Sequence, residues 1–501
     1  MSYCGYITTL KNVRPHPNAD RIKLADCFGN TVCVGLDAAE GEIGVYFPVD
    51  GQLSVEFCQV HDLMRRKDEN GNPAGGYLDP EKRNIKAVKL RGEKSDGLFM
   101  LLSCLDYTGA NLDDVNVGDT ITTVNGHEIY QKYIPKSNSK TYQNSGNRTR
   151  KRKDPIAPLF QEHADTEQLA YNLAAFKPGD EIEITLKMHG TSQRTAYLPT
   201  LCGYNDPWYY KLYNWAWFHW NRLTHKHDLH TTINGFKHKN PNYEYDYVSG
   251  TRRVVLDTYD GGFYGSNEFR EQHAKKFEGK LWKGETVYYE VVGFTHTGAP
   301  IMASAPNSKV SDKEFTKKYG KETVFSYGCD PHGYNGDGGW GVAPNPKNPM
   351  ENVLTCKPQS DIYVYRMTMT NEDGNVVEYT PDFMRYRCEL MGVKTVQVFD
   401  KFYIPEDQLL QSSEDGSPVW VPVTNPGEYV LERAERYFDG PDPVGKTHIR
   451  EGVVVRILNR PKFTAYKHKN HTFKMLSGIA IEQVENSGAT DAMDADILSE
   501  M

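Results

Sequence analysis

Glu181-Ile182-Glu183-Ile184-Thr185-Leu186 runs directly into Lys187-Met188-His189-Gly190-Thr191-Ser192. The first six residues alternate polar and apolar, the period of a half-buried strand. The next six put a lysine at the strand's end and a glycine three residues on. A lysine placed there can leave the sheet and present its amine to a phosphorus. The glycine lets backbone come close to a nucleotide. KxxG alone is a four-residue pattern that chance supplies often, so its meaning depends on what the rest of the chain brings to it.

Nucleotidyl transfer to a lysine needs the nucleophile, a ribose clamp, a ring to stack on the base, a carboxylate for a metal ion and cations for the α-phosphate. The chain offers candidates for the last four in order after Lys187. Ser249-Gly250-Thr251-Arg252-Arg253 comes first, then Glu290-Val291-Val292-Gly293 at a strand end. The aromatic strand Tyr363-Val364-Tyr365 follows, then Glu451-Gly452-Val453-Val454-Val455. Last is Tyr466-Lys467-His468-Lys469, whose two lysines share one face of a strand. Singly, a glutamate at a strand end is usually an exposed carboxylate and a KxK is usually a solvated face. Together and in order, they read as one site.

At 501 residues the chain is long enough for two or three domains. With 38% hydrophobic and 25% charged residues it has the composition of an ordinary soluble globular protein. No apolar run approaches membrane-spanning length and Met1 to Gly5 open no signal-peptide core, so no membrane partner is expected. Nine scattered cysteines without a CxxC pair favour reduced thiols and a cytoplasmic location over disulfides or zinc. The net charge of −8 excludes a generic polyanion-coating protein but leaves room for a local basic groove.

Residues 1–130 read as short strands between Gly, Asn, Asp and Pro turns, for example Val32-Cys33-Val34-Gly35 and Gly44-Val45-Tyr46-Phe47. This fits a small OB-type β-barrel, and equally another small barrel or sandwich. Residues 131–159 form a polar linker with the basic run Arg148 to Lys153, either a phosphate-touching segment or a solvated loop. From residue 160 to 487 strands and helices mix, predicting one α+β domain of antiparallel sheets and helices with long insertions. Thr166 to Leu173 reads as helical, and Pro331 to Pro349 as a Gly/Pro/Asn-rich loop. Residues 488–501 are an acidic tail. An insertion at about 199–247 holds Trp208, Trp215, Trp217 and Trp220, four of seven tryptophans, with His219, His225, His227 and His230. Such aromatics either pack the insertion onto the domain or stack on bases; the histidines lack the companions of a metal site.

The five ordered motifs strongly resemble those of the covalent nucleotidyltransferase superfamily of ATP-dependent RNA and DNA ligases and mRNA capping enzymes. Pro15-His16-Pro17-Asn18-Ala19-Asp20-Arg21-Ile22, Gly44 to Phe47 and Lys89-Leu90-Arg91-Gly92-Glu93-Lys94-Ser95-Asp96-Gly97-Leu98 resemble the OB module of one RNA ligase type. Enzymes of that type place this module ahead of the catalytic domain, whereas most DNA ligases and capping enzymes place it after. Asp165-Thr166-Glu167-Gln168 resembles a segment that type keeps near the adenine. The insertions, and Arg366 where many relatives carry an acid, depart from the pattern.

The resemblance implies an N-terminal OB-type β-barrel followed by an ATP-grasp-like adenylyltransferase domain. It implies a monomeric ATP-dependent RNA ligase that uses ATP with Mg²⁺ or Mn²⁺ and joins 3′-OH and 5′-phosphate RNA ends through lysyl-AMP. Lys187 would be the nucleophile, Lys467 and Lys469 would bear on the α-phosphate, and Glu451 would hold the metal. Arg252 and Glu290 would fix the ribose. Tyr363 or Tyr365 would stack on adenine, with Gly190 and Gln168 beside the nucleotide. Lys89 and Arg91 would either contact RNA or belong to a purely structural turn. The competing expectations are a nick-sealing DNA ligase and a non-catalytic OB-type RNA- or tRNA-binding protein.

Overall fold

The computed structural model describes residues 3–134, 155–224, 235–256, 268–293, 301–302, 305–310, 312–321, 340–345, 348–356, 360–412, 418–444 and 449–487. The basic run, His225, His227, His230 and the acidic tail lie outside them.

The N-terminal half is β-rich. Strands β1 (Gly5–Thr9), β2 (Ile43–Phe47), β3 (Leu98–Leu101) and β4 (Thr120–Ile121) form a sheet in the order β3-β2-β1-β4. Lys11–Pro15, Lys23–Cys27 and Asn30–Val34 make a second, three-stranded sheet, and Ala87–Leu90 pairs with Glu93–Asp96 in a hairpin. Ile7, Val45, Phe47, Leu53 and Phe57 fill one core of this half. Among the described residues none of these sheets closes on itself, so the expected closed barrel is not among the observed pairings.

The second half is mixed α+β and rests on two antiparallel-dominated sheets. One is five-stranded, in the order β5 (Glu167–Gln168), β13 (Thr464–Lys469), β12 (Gly452–Ile457), β6 (Glu181–Leu186), β11 (Val398–Tyr403). Its apolar face, with Ile182, Ile184, Val453 and Val455, packs on Val430, Leu431 and Ala434 of the helix Pro426–Phe438. The other sheet is seven-stranded and centres on β7 (Thr191–Tyr204), β8 (Pro241–Gly250), β9 (Glu285–Gly293) and β10 (Ser360–Thr370), in the order β8-β7-β9-β10. Helix α2 (Pro381–Met391) covers it, with Met384, Cys388 and Met391 against Val287, Val291, Val364 and Met367. Lys187 to Gly190 is the link from the first sheet to the second.

Three expectations need correction. Thr166 to Leu173 is not helical: Glu167–Gln168 joins the sheet in parallel with Tyr466–Lys467, and a 3₁₀ turn follows over Leu169–Tyr171. A sheet edge took the two polar residues that the helical reading assigned to a first turn. The insertion starts later than 199 and ends before 247, because β7 and β8 stay paired out to Tyr204 and Pro241. Helix α1 (Trp208–Thr224) lies between them. Within the Gly/Pro-rich stretch, Trp340–Asn345 and Asn348–Cys356 pair as a hairpin rather than a loop.

The halves touch through aromatic and ionic contacts. Tyr171 packs on Tyr6 and Phe28, with ring centroids 4.4 and 5.1 Å away. Buried Asp96 accepts from the Lys474 amine at 2.5 Å, on helix α3 (His471–Ser487). Cys4, Cys27, Cys33, Cys58, Cys104, Cys202 and Cys388 are free thiols. No helix among those residues is long and apolar enough to cross a membrane.

Candidate active site

Register brings the distant motifs together. The Lys187 amide donates to the Gly452 carbonyl at 3.1 Å, and Gly452 is the cross-strand partner of Lys469. Lys187, Gly452 and Lys469 therefore stand side by side on three chain segments. Val454 pairs with Lys467, and Lys467 with Gln168 on the far side. Lys467 and Lys469 share the face opposite the buried valines. Gly452 is required here: its φ of 151° suits glycine, and a Cβ would run into the His468 carbonyl oxygen.

Glu451 is the centre of the cluster. Its carboxylate is buried, and Oε1 receives the Lys187 amine at 2.7 Å and the Lys469 amine at 3.3 Å. The His189 Nδ1 lies 3.5 Å from Oε2, its ring held edge-on by Phe473. Burial pushes the Glu451 carboxyl up, but Lys187, Lys469 and His189 outweigh it and hold it well below the usual carboxylate range. Burial pushes the Lys467 amine down to about 7, helped by the charges of Lys469, Lys187 and Arg252. Lys469 goes the other way: burial lowers it, and Glu451 more than restores it. Three lysines around one carboxylate leave a net positive, largely desolvated pocket.

Gly190 explains itself by contact. A Cβ there would strike the Val291 carbonyl oxygen and lie 2.7 Å from Val292 and 2.8 Å from the Glu290 side chain. Only glycine lets the Lys187 link pass over β9. Across the second sheet, Ser192, Glu290 and Tyr363 are successive partners and so share a face. Tyr363 packs beside Leu186, Met188 and Val292 under the link. The Tyr365 hydroxyl is engaged by Ser192 at 2.9 Å and its ring lies 5.4 Å from that of His163. Tyr365 packs against the same Leu186, Met188 and Val292 cluster, so both rings lie under the lysine link.

Arg252 follows β8 and meets Asp165 at 3.5 Å; Arg253 meets the same carboxylate at 3.2 Å. Burial raises Asp165, and Arg252 together with Arg253 and His163 outweighs it, leaving the carboxyl low. Arg366 is paired with Glu378.

Two solved structures of Naegleria gruberi RNA ligase are similar in chain course. One, a variant with ATP and Mn, is 14% identical, covers 95% of this chain and 98% of its own, and has a TM-score of 0.47. The other, with pyrophosphate, is 14% identical, covers 94% and 97%, and has a TM-score of 0.46. No family model matches the chain. No curated protein matches it.

Lys89 lies on the hairpin Ala87–Leu90/Glu93–Asp96. Its amine bonds Asp312 at 2.8 Å, an ion pair between the two halves. Arg91 is exposed at the hairpin turn with a φ of 46°. Sequence reasoning missed His189, although it lies inside the opening run. It also missed the Asp96 contact to Lys474, 378 residues away, which no local pattern announces.

Among the described residues no three His, Cys, Asp or Glu side chains gather as a metal-binding set. One buried carboxylate beside phosphate-attracting lysines fits a magnesium or manganese ion held mainly by substrate phosphates and water.

Proposed function

We propose that the protein is an ATP-dependent RNA ligase that joins 3′-OH and 5′-phosphate ends through lysyl-AMP. The observation that carries this reading is the Lys187 amine 2.7 Å from buried Glu451, with Lys469 on the same oxygen. A purely structural ion pair needs one cation; this carboxylate gathers two lysines and a histidine. A non-catalytic binder has no use for such a set.

In the first step the Lys187 amine sheds a proton and its nitrogen attacks the α-phosphorus of ATP. The N–P bond forms, the P–O bond to pyrophosphate breaks, and pyrophosphate leaves. Lys467 and Lys469 face the α-phosphate and neutralise its transition-state charge. Glu451 would hold the divalent ion, which when bound offsets phosphate charge. Tyr363 stacks on adenine, and Arg252 and Glu290 fix the ribose. An RNA 5′-phosphate oxygen then takes AMP from Lys187. A 3′-oxygen attacks that phosphorus, its proton is lost, and AMP leaves.

The test is incubation with α-labelled ATP and Mg²⁺ after pyrophosphate pretreatment, followed by denaturing electrophoresis. Wild type is expected to keep the label and Lys187→Ala to lose it. Unlabelled wild type, or equal labelling of the variant, overturns the mechanism. Sealing of nicks carrying RNA or DNA at the 3′-OH side then separates an RNA ligase from a DNA ligase.

A further inference from the structure

Helix α1 divides its aromatics: Tyr213 and Trp217 stack on each other and are half-buried, with Lys237 over the Tyr213 ring, while other rings are left in solvent. Asn214 and Asn221 face inward and are buried. Asn214 is locked to backbone by donating to the Lys237 carbonyl at 2.8 Å and accepting from the Lys237 amide at 2.7 Å. Outward stand Trp208 (75% exposed), Trp215 (62%), Trp220 (61%) and Leu223 (79%), with Tyr209 and Leu212. A helix that merely packed its insertion onto the domain would do the opposite. Trp208, Trp215 and Trp220 are therefore not spent on the chain's own core.

Charge narrows what that is. No acidic residue lies between Trp208 and Thr224, while Lys211 and Arg222 flank the exposed rings. Residues 205–241 hold five Lys or Arg (211, 222, 226, 237, 239) against two Asp (206, 228), or +3, in a chain of net −8. Asp206 is itself occupied, by His238 at 2.8 Å and the Lys239 amide at 2.7 Å. The partner is anionic. A second copy is disfavoured, because Lys211 and Arg222 sit at nearly equal distances on either side of the helix midpoint. An antiparallel pair would set each against the other's cation. Trp and Leu beside cations also occur on helices that lie on lipid, but here nine of the seventeen side chains are Trp, Tyr, Phe or His and only Leu212 and Leu223 are large aliphatics, a face of flat rings. Rings with intervening cations match the stacking and phosphate needs of unpaired nucleotides.

We propose that the exposed face of α1 is a docking site for an unpaired RNA strand. Bases stack on Trp208, Trp215 and Trp220, and phosphates meet Lys211 and Arg222. The proposal rests on the RNA ligase reading for its choice of RNA over other polyanions. The helix sits at the far end of the 14-residue strand β7 from Thr191, roughly 40 Å along it. It would thus hold the body of a strand, clear of the reacting ends.

The experiment measures binding of a fluorescein-labelled unpaired 20-nucleotide RNA by anisotropy between 50 and 200 mM salt, without ATP. Lysyl-AMP formation is followed in parallel. The triple variant Trp208→Ala/Trp215→Ala/Trp220→Ala is expected to bind at least tenfold more weakly. Lys211→Glu/Arg222→Glu is expected to flatten the log–log salt slope by about 1.4. Both should form lysyl-AMP like wild type, which also checks their folding. Unchanged RNA affinity in both variants overturns the proposal. So does wild-type binding to vesicles with 30% phosphatidylserine that the triple variant loses, or a dimer that it dissolves. If wild type forms no lysyl-AMP while the triple variant still loses RNA, the ligase reading falls and the docking site stands.

Discussion

Two buried carboxylates in the second half are built to opposite ends. Glu285 is fully saturated: Arg387 grips it in a fork at 2.8 and 2.7 Å, Tyr379 donates at 3.0 Å and the Trp282 amide at 2.8 Å. Arg387 is in turn stacked over Trp282 at 3.9 Å. Glu451 is oversubscribed on one oxygen by two flexible lysines, and its other oxygen has a histidine at 3.5 Å. A planar fork leaves nothing to exchange, whereas point-charge amines on long stems can trade a carboxylate for a phosphate. The first carboxylate holds the sheet to helix α2; the second holds amines that another anion could take over.

That contrast is broken most directly by substitution at both places. Lys187→Ala should abolish lysyl-AMP, and Glu451→Gln should slow its formation by roughly 10²–10³-fold, read by single-turnover labelling. Arg387→Ala should leave Glu285 buried and uncompensated and cost about 3–5 kcal/mol, read by denaturant melting. The folded fraction should still form lysyl-AMP. If Arg387→Ala lost labelling while keeping its stability, the division between the two carboxylates would be wrong.

Glycines sharpen the same contrast. Gly190→Ala drives a methyl into the Val291 carbonyl, so the Lys187 link must lift from β9. A drop in lysyl-AMP rate of at least about tenfold follows if the amine is displaced by even an ångström. Gly203→Ala, with nothing within 4 Å of its Cβ, should be silent in both rate and melting.

A smaller effect comes from pH. Lys467 has its folded value pushed down to about 7, below the roughly 10.4 of an unfolded lysine. Between those values the unfolded chain binds the extra proton, so this group adds stability as pH rises above 7. It adds none further as pH falls below that value. Wild type should therefore gain melting temperature relative to Lys467→Met from pH 6.5 to 9. A parallel pair of curves would mean that Lys467 is not desolvated as described.

The site was far more legible in the chain than the frame around it. Lys187, Glu451, Lys467 and Lys469 could be placed in order because strand alternation and KxK spacing fix which face each occupies. Register then brought them together. Glu290 and Tyr363 followed as cross-strand partners for the same reason. Glu167 and Gln168 were misread because their pairing partner lies some 300 residues away, and two residues carry no periodicity. The closed barrel was inferred from turn spacing, which sets strand number but not closure. The exposed rings of helix Trp208–Thr224 escaped because composition shows aromatics without showing which way they face.

Lys89 gives the smallest and most discriminating prediction, since sequence resemblance left it between RNA and a structural turn and geometry pairs it with Asp312. The Asp312 carboxyl is held low first by the Lys89 hydrogen bond and then by the Phe315 amide, with burial opposing. Its partner is partly exposed, so Lys89→Ala should cost no more than about 1 kcal/mol. Because the folded value is depressed, the pair's contribution is present above the unfolded carboxylate value near 3.9 and is lost as pH falls through the folded one. The melting gap between wild type and Lys89→Ala should accordingly narrow in acid. Affinity for unpaired RNA should change less than twofold at neutral pH. A tenfold loss of RNA affinity with no change in melting would instead return Lys89 to the nucleic acid and leave Asp312 an incidental neighbour.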